Sequence, residues 1–307
     1  MPRSSGRRGT PIRWRATSSP HPRAPVSVPA GTICGMEISE HIGALDVQGR
    51  RMAAAAASAG LDAVVPSCPA WRVRDLLRHT GYVHRWAAGY VAGQLTEMVP
   101  ELTEAEQLSG GAPDSELLDW FLDGHGTLVA ALRSADPGMS AWTFLAAPSA
   151  LAFWARRQSH ETAIHCADAE LAAGSGHDLP AEFAADGVDE LLFGFFGRDA
   201  AGAGEAGPSP ASATGGTGGD ATRLLLVRAA DTGHDWHARL DPGGSRVIST
   251  GRGHGPAGVP AACAVTGPAT ALYLLLWNRS GLTPDVEVAG DAALLSSWRA
   301  SMHVTWA

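Results

Sequence analysis

Apolar side chains recur every three or four positions from residue 36 to about residue 198, which is the period of an amphipathic helix. Glycine and proline interrupt this pattern at intervals, so the region divides into several helices rather than one long one. The predicted helices span residues 38–60, 72–93, 114–135, 149–174 and 180–197. Four long helices joined by modest loops predict an antiparallel four-helix bundle, which the shorter fifth helix follows.

Residues with known terminal preferences mark the ends of these helices. Gly60 and Gly174 follow the first and fourth helices, where glycine readily adopts the left-handed conformation of a helix C-terminus. Asp114 precedes the third helix and is a predicted N-cap, because its carboxylate can accept a hydrogen bond from an exposed backbone N–H. The proline-containing segment at residues 65–71 breaks the chain before the second helix.

After residue 222 the hydrophobic period changes to that of strands. The predicted strands span residues 222–230, 235–241, 245–250, 261–267 and 285–290, and the predicted helices residues 268–280 and 292–302. The sequence DPGG at residues 241–244 predicts a hairpin turn between the second and third strands. This pattern predicts a small α+β domain with a mostly antiparallel sheet.

Two segments lack any repeating hydrophobic pattern. Residues 199–221 are rich in glycine, alanine, serine and proline, which predicts a flexible linker. Residues 1–35 hold six arginines and no acidic residue, which predicts a disordered leader or a mis-assigned start. The chain is therefore predicted to be an α+β protein of two domains, a helical bundle over residues 36–198 and an α+β domain over residues 222–307.

The charge of the chain argues against nucleic-acid binding. The formal net charge of the 307 residues is −8, and because the leader is basic, the excess of acid lies in the folded part. A phosphate-binding groove needs a positive field, which this part of the chain does not predict. The leader lacks the apolar run of a secretory signal, and nowhere do 18 apolar residues follow one another, so the sequence predicts no membrane span.

Cysteine and arginine usage indicates the cellular setting. Cys34, Cys68, Cys166 and Cys263 form no CxxC pair, which indicates reduced thiols and a cytoplasmic protein. The chain has no lysine, so all 23 side chains counted as lysine or arginine are arginines. That composition is typical of a GC-rich genome, such as that of an actinobacterium, and carries no functional signal.

The candidate chemistry is concentrated in one predicted helix, in the segment RRQSHETAIHCADAE at residues 156–170. Glu161 and His165 are four positions apart and therefore share a helix face, with Cβ atoms about 6 Å apart. His160 points about 100° away from Glu161 and is not expected to join them. A carboxylate and an imidazole on one face can chelate a single ion such as zinc.

A third ligand has to come from another helix, and the second helix offers two histidines. His79 and His84 are five positions apart, so only one of them can face the same seam, and the neighbouring apolar stripe favours His79. Two histidines, one carboxylate and an open position are the composition of a catalytic zinc site. The alternative is that the histidines are core residues and that Glu161 pairs with Arg157.

Two segments of the chain resemble the mycothiol-dependent maleylpyruvate isomerase family. Residues 65–86, VPSCPAWRVRDLLRHTGYVHRW, are similar to its C-P-x-W-x-V-x-D-L motif and the histidine that follows it. Residues 156–171, RRQSHETAIHCADAEL, resemble the H-E-x-x-x-H-x-x-D-A-E pattern of its last bundle helix. The segment from GPATALYLLLWNR to WRASM is similar to the family's small C-terminal domain, so the resemblance extends from Met36 to the C-terminus.

This resemblance implies a DinB-like bundle that holds a divalent metal, usually zinc, on His79, Glu161 and His165. Asp168 is also retained and can orient the imidazole of His165 by accepting a hydrogen bond, unless it is simply an exposed helix acid. The resemblance further implies mycothiol as a thiol cosubstrate. Its thiolate adds to the cis double bond of a maleyl-type 2-oxo acid, and rotation followed by elimination yields the trans product.

A cation is needed to bind the carboxylates and the developing enolate of such a substrate. Arg279 corresponds best to an arginine that the family uses in its C-terminal domain, and Arg85 is a second candidate. Either side chain can instead be an ordinary surface arginine. Cys166 follows His165 directly and faces about 100° away from it, so we expect a small buried hydrophobe there rather than a nucleophile.

Two other functions stay open on the sequence. A mycothiol S-transferase would stop after addition to another electrophile, and a non-catalytic protein would bind a metal or an apolar molecule. Under the favoured reading the partners are mycothiol and a small electrophile, and the protein is a monomer or homodimer. The side chains expected to form core and pocket walls are Trp71, Trp86 and Trp154.

Overall fold

The computed structural model describes residues 35–99, 102–196, 223–241, 244–252 and 260–301. The predicted linker and, except for Gly35, the predicted leader lie outside the described residues, as do the two central residues of the predicted DPGG turn. The described residues form two compact units, which meet in sequence between Leu179 and Pro180. None of the described helices combines the length and hydropathy needed to cross a bilayer.

The first unit contains the helical bundle. Its helices are α1 (Ile38–Ala59), α2 (Val73–Gly93), α3 (Glu104–Ser109), α4 (Leu117–Ser134) and α5 (Ala150–Ala172), and a small hairpin joins β1 (Val64–Val65) to β2 (Cys68–Arg72). Helix α1 packs along α5, and α2 packs along α4. Burial of their apolar faces drives this packing, and the fully buried core includes Leu45, Met52, Leu76, Leu77 and Phe121.

Two of the three predicted helix ends agree with the structure. Gly60 and Gly174 follow α1 and α5 with φ of 81° and 73°, the left-handed region that favours glycine. The N-cap predicted at Asp114 is wrong, because a 3₁₀ turn over Asp114–Glu116 precedes α4. The Asp114 carboxylate instead accepts hydrogen bonds of 2.6 and 2.7 Å from Arg74 and Arg78 on α2.

Helix α3 and the β1–β2 hairpin are not among the predicted elements, although both support the candidate site. Thr103 caps α3 by accepting a hydrogen bond from the backbone N–H of Glu106, whose carboxylate in turn accepts from the Thr103 backbone. Such a capping box stabilises the start of a helix. Helix α3 itself is too short for a hydrophobic period to be recognised in the sequence. Through Gln107, α3 reaches the buried interior of the bundle.

The second unit is the predicted α+β fold. It comprises α6 (Ala181–Asp189), a π-helical turn (Glu190–Phe195), β3 (Arg223–Ala229), β4 (His234–Asp241), β5 (Gly244–Arg252), β6 (Cys263–Gly267), α7 (Ala269–Leu276), β7 (Glu287–Gly290) and α8 (Ala292–Ser301). The sheet order is β5-β4-β3-β6-β7. Only the β3–β6 pair is parallel among these described strands, so the sheet is mostly antiparallel.

The fifth predicted helix belongs with this second unit rather than with the bundle. Helix α6 packs against α7, and the indole of Trp277 donates a 3.2 Å hydrogen bond to the carbonyl oxygen of Gly187. The indole of Trp236 on β4 approaches Asp189 at 3.4 Å. These contacts attach α6 to the sheet domain, and they leave four long helices, α1, α2, α4 and α5, in the bundle.

Candidate metal centre

Three side chains from α2 and α5 converge in the interior of the bundle. The Nε2 atoms of His79 and His165 lie 3.6 and 3.2 Å from the same oxygen, Oε1 of Glu161. All three residues are buried, and their donor atoms lie within 4.8 Å of one another. The structure thus brings together the three residues that helical spacing and family resemblance had selected.

The outer nitrogens of both histidines are already engaged. Nδ1 of His79 lies 2.9 Å from Oε1 of Gln107, and Nδ1 of His165 lies 2.9 Å from a carboxylate oxygen of Asp168. Because both partners are acceptors, each Nδ1 carries a proton, and each Nε2 is the nitrogen that can bind a metal ion once it is deprotonated. Within the described part of the chain, Nε2 of His79 has no hydrogen-bond partner, since 3.6 Å is too long for a hydrogen bond.

This donor set fits a divalent metal. Two imidazole nitrogens and one carboxylate oxygen are the ligands found in catalytic zinc sites with an open position. Metal-bound histidines usually donate their other ring N–H to a carboxylate or carbonyl group, as both histidines do here. A cation would also satisfy the buried Nε2 of His79, whose burial without a partner is otherwise unfavourable.

Electrostatics keep Glu161 in its charged form. Burial raises the pKa of Glu161, but the hydrogen bond from His165, the nearby imidazole of His79 and the charge of Arg157 together hold it well below its usual range. Burial lowers the pKa of His165, while hydrogen bonds with Asp168 and Glu161 more than offset this and raise it to about 8. A proton and a metal ion therefore compete for the same nitrogen of His165.

Two further residues hold the ligands in place, and only one of them was predicted. Asp168 on α5 orients His165 and also accepts a hydrogen bond from Ser67 in the β1–β2 turn. Gln107 orients His79 and donates a 2.9 Å hydrogen bond to the carbonyl oxygen of Leu102. Gln107 was not predicted from the sequence, although the T-x-x-E capping pattern that begins at Thr103 indicates the start of its helix.

Trp71 at the end of the hairpin lies against this cluster. Its ring centroid is 5.0 Å from that of His79 and 6.4 Å from that of His165. Its indole nitrogen donates a 2.8 Å hydrogen bond to Glu104 on α3. The hairpin and α3 together therefore enclose one side of the histidine pair. Trp86 and Trp154 lie elsewhere, in an aromatic cluster around Tyr90.

The polar residues that spacing had set aside have other partners. His84 is fully buried, and its Nε2 lies 2.8 Å from the hydroxyl of Thr162, so it is His79 that joins Glu161. Burial lowers the pKa of His84 well below its ordinary value. The ring of His160 contacts that of His41. Cys166 lies in the hydrophobic core, where burial raises the pKa of its thiol.

The two predicted arginines lie in different units. The Arg85 guanidinium stacks 4.0 Å from the Trp120 ring and donates hydrogen bonds to the Trp120 carbonyl oxygen and to Asp123. It therefore helps to join α2 to α4. Arg279 lies in the second unit, where its guanidinium donates a 2.9 Å hydrogen bond to the carbonyl oxygen of Trp277. A catalytic role for either arginine stays a prediction.

Comparison with known proteins follows the same division of the chain. Residues 42–170 match the family model of the mycothiol maleylpyruvate isomerase N-terminal domain, and residues 182–297 match the model of the C-terminal domain, MDMPI_C. A search of curated proteins finds no significant match.

Two solved structures share the fold. One is described as the mycothiol-dependent maleylpyruvate isomerase, with a TM-score of 0.53 and 12% identity over 83% of this chain and 93% of that chain. The other is a histidine-to-alanine mutant of the mycothiol-dependent maleylpyruvate isomerase, with a TM-score of 0.52 and 13% identity over 81% of this chain and 96% of that chain. The identities are low, so these structures establish similarity of fold, while the two domain models together span most of the chain. The chain belongs to the mycothiol-dependent maleylpyruvate isomerase family, which indicates that it is an isomerase.

Proposed function

We propose that this protein is a zinc- and mycothiol-dependent enzyme that isomerises a maleyl-type 2-oxo acid from cis to trans. The observation that carries the proposal is the convergence of Nε2 of His79, Oε1 of Glu161 and Nε2 of His165, with both Nδ1 atoms already bonded. Such a set supplies three donor atoms that can converge on one ion. Family membership supports mycothiol as the cosubstrate and a maleyl-type acid as the substrate.

In this proposal each residue of the cluster has a definite task. His79, Glu161 and His165 bind the ion, while Gln107 and Asp168 fix the tautomer and ring orientation of the two histidines. When bound, the zinc ion supplies a Lewis acid that favours the thiolate form of mycothiol. Burial of the three ligands excludes water and strengthens every electrostatic interaction around them.

The isomerisation itself requires the thiol but does not consume it. The thiolate adds to one carbon of the cis double bond, and the electron pair moves to the neighbouring carbonyl group, which leaves a single bond that can rotate. Expulsion of the thiolate restores the double bond in the trans configuration and regenerates the cosubstrate. A guanidinium is suited to the carboxylates and the developing enolate of this substrate, and we propose Arg279 for that task, with Arg85 as the second candidate.

The setting of the enzyme is part of the proposal. We expect a cytoplasmic protein, a monomer or homodimer, whose partners are mycothiol and one small electrophile. Cys166 and Cys263 are buried and form no disulfide, which agrees with a reducing compartment.

Incubation of the zinc-loaded protein with mycothiol and maleylpyruvate is expected to convert the cis acid to the trans acid, with the concentration of free thiol unchanged. Absorbance of the acid and a thiol titration at matched time points measure the two quantities. Stoichiometric loss of thiol would assign an S-transferase instead. No reaction with this acid or with a panel of other electrophiles would favour a binding protein.

Replacing Asp168 by asparagine is expected to lower zinc affinity by about 10- to 100-fold, because His165 loses a charged acceptor for its Nδ1–H. Competition with a chelator at fixed pH measures the affinity. Asp62→Asn is the control, since Asp62 is exposed and pairs only at the surface with Arg74. A folded Asp168→Asn variant with the zinc affinity of the parent protein would show that Asp168 does not support the site.

A further inference from the structure

We propose that Arg157 is a positioning residue that restricts Glu161 to binding the metal through one carboxylate oxygen. The inference rests on the metal site proposed above. It concerns how many donor atoms the protein supplies, and therefore whether a coordination position is left for a ligand from solution.

The two oxygens of Glu161 face different partners. Oε1 is the oxygen that lies 3.2 Å from Nε2 of His165 and 3.6 Å from Nε2 of His79. Oε2 instead accepts a 3.0 Å hydrogen bond from Nη2 of Arg157. The carboxylate is thus divided between the candidate metal position and a guanidinium.

The contact between Arg157 and Glu161 lies within helix α5 and is shielded from water. Arg157 precedes Glu161 by four positions, so the two side chains lie on one face of the helix. Their side chains are only 1% and 5% exposed, which makes the pair a buried contact rather than a surface ion pair. Water cannot readily replace the guanidinium at such a position, and the hydrogen bond to Oε2 is charge-assisted on both sides.

The consequence follows from the coordination chemistry of zinc. Three protein donors leave the fourth position of a tetrahedral site for a ligand from solution. A carboxylate that bound through both oxygens would supply a fourth protein donor, so a ligand from solution could bind only by raising the coordination number to five or more. By holding Oε2, Arg157 keeps the count at three donors and keeps a position available for the thiol cosubstrate. It also withdraws negative charge from the carboxylate, which makes Glu161 a weaker donor.

Cobalt substitution tests this role, because tetrahedral cobalt absorbs visible light more strongly than five- or six-coordinate cobalt. In Arg157→Met both oxygens of Glu161 become available, and we expect the visible absorbance per bound cobalt to fall by at least about twofold. Zinc affinity, measured by chelator competition, should rise by about tenfold, since a positive charge beside the ligand is lost. Arg157→Lys retains that charge and is expected to restore both values largely to those of the parent protein.

The control removes another arginine that pairs with a glutamate of α5. Arg51 on α1 binds Glu170 on α5 through two hydrogen bonds of 3.0 and 3.1 Å, and neither residue is among the three candidate ligands. Arg51→Met is therefore expected to leave the cobalt spectrum and the zinc affinity unchanged. If Arg157 only stabilises the fold, its loss weakens zinc binding instead of strengthening it, and the spectrum of the bound cobalt does not change.

A crystal structure of the cobalt-loaded parent protein provides a test that does not depend on folding of the variants. We expect Oε1 of Glu161 on the cobalt and Oε2 on Arg157, and two Glu161 oxygens on the cobalt would overturn the inference. Different results would contradict the proposed metal site and the role of Arg157. A parent protein without stoichiometric metal contradicts the proposed site and this inference together, whereas a metal-loaded protein with an unaltered spectrum in Arg157→Met contradicts the inference alone.

Discussion

Replacement of His165 by alanine is expected to abolish stoichiometric zinc binding and to lower kcat/KM for the isomerase reaction by at least about a thousandfold. His165 supplies one of only three donor atoms in the candidate centre, and its Nε2 lies 3.2 Å from Oε1 of Glu161. Its loss leaves an incomplete ligand set and a buried carboxylate without that partner. Residues that act as one unit lose most of their joint effect when any member is removed, so His79→Ala and Glu161→Ala should resemble His165→Ala.

Metal content after exhaustive dialysis and kcat/KM of the same samples measure the two effects. The matched control is His84→Ala, which removes another buried imidazole from the helix that carries His79. Nε2 of His84 is hydrogen-bonded to the hydroxyl of Thr162 and not to Glu161. We expect this variant to retain one zinc ion per chain, although its stability falls. A His165→Ala protein that still holds one equivalent of zinc would refute the assignment of the ligands.

Trp154→Ala is expected to reduce the free energy of unfolding by about 3–5 kcal/mol, the range found for removal of large buried aromatic side chains. Trp154 is fully buried, and its ring stacks on Tyr90 at a centroid distance of 4.9 Å and contacts Trp86 at 5.2 Å. Its indole nitrogen also donates a 3.1 Å hydrogen bond to the Trp142 carbonyl oxygen. The truncation would leave a large cavity at the junction of α2 and α5.

Urea denaturation of zinc-loaded protein, with metal content matched between samples, measures this loss. Val47→Ala is the control, because Val47 is 54% exposed and its truncation should change the stability by no more than about 0.5 kcal/mol. Trp154 lies two turns before Glu161 on α5, so the folded fraction of Trp154→Ala should keep its zinc affinity. A decrease below about 1 kcal/mol would mean that the aromatic cluster contributes little to the bundle.

The long helices and two of the three candidate ligands could be predicted because they depend on local spacing. Glu161 and His165 share a face for the same reason that the apolar stripes do, namely the 3.6-residue turn of the helix. Spacing gives only a weak preference for His79 over His84, because both histidines of α2 are buried. The choice depends on which histidine meets Glu161 across the bundle and which meets Thr162, a matter of tertiary packing.

Two features could not be predicted from the sequence, the short helix α3 and the division of the Glu161 carboxylate between two partners. Helix α3 has six residues, too few for a period to be recognised, so Gln107 could not be placed beside His79. The sequence also presented pairing of Glu161 with Arg157 as an alternative to a metal site. The two are compatible in the structure, because Oε2 of Glu161 accepts a hydrogen bond from Arg157 while Oε1 faces His165.

The two candidate histidine ligands are supported unequally. His165 and its acceptor Asp168 lie on α5 together with Glu161, so this part of the cluster moves as one rigid element. His79 depends on a neutral amide from α3, a helix of less than two turns that is joined to the bundle chiefly through α2. Short peripheral elements open more often than long packed helices. We therefore expect the lifetime of a bound ion to depend more on opening of α3 than on opening of α5.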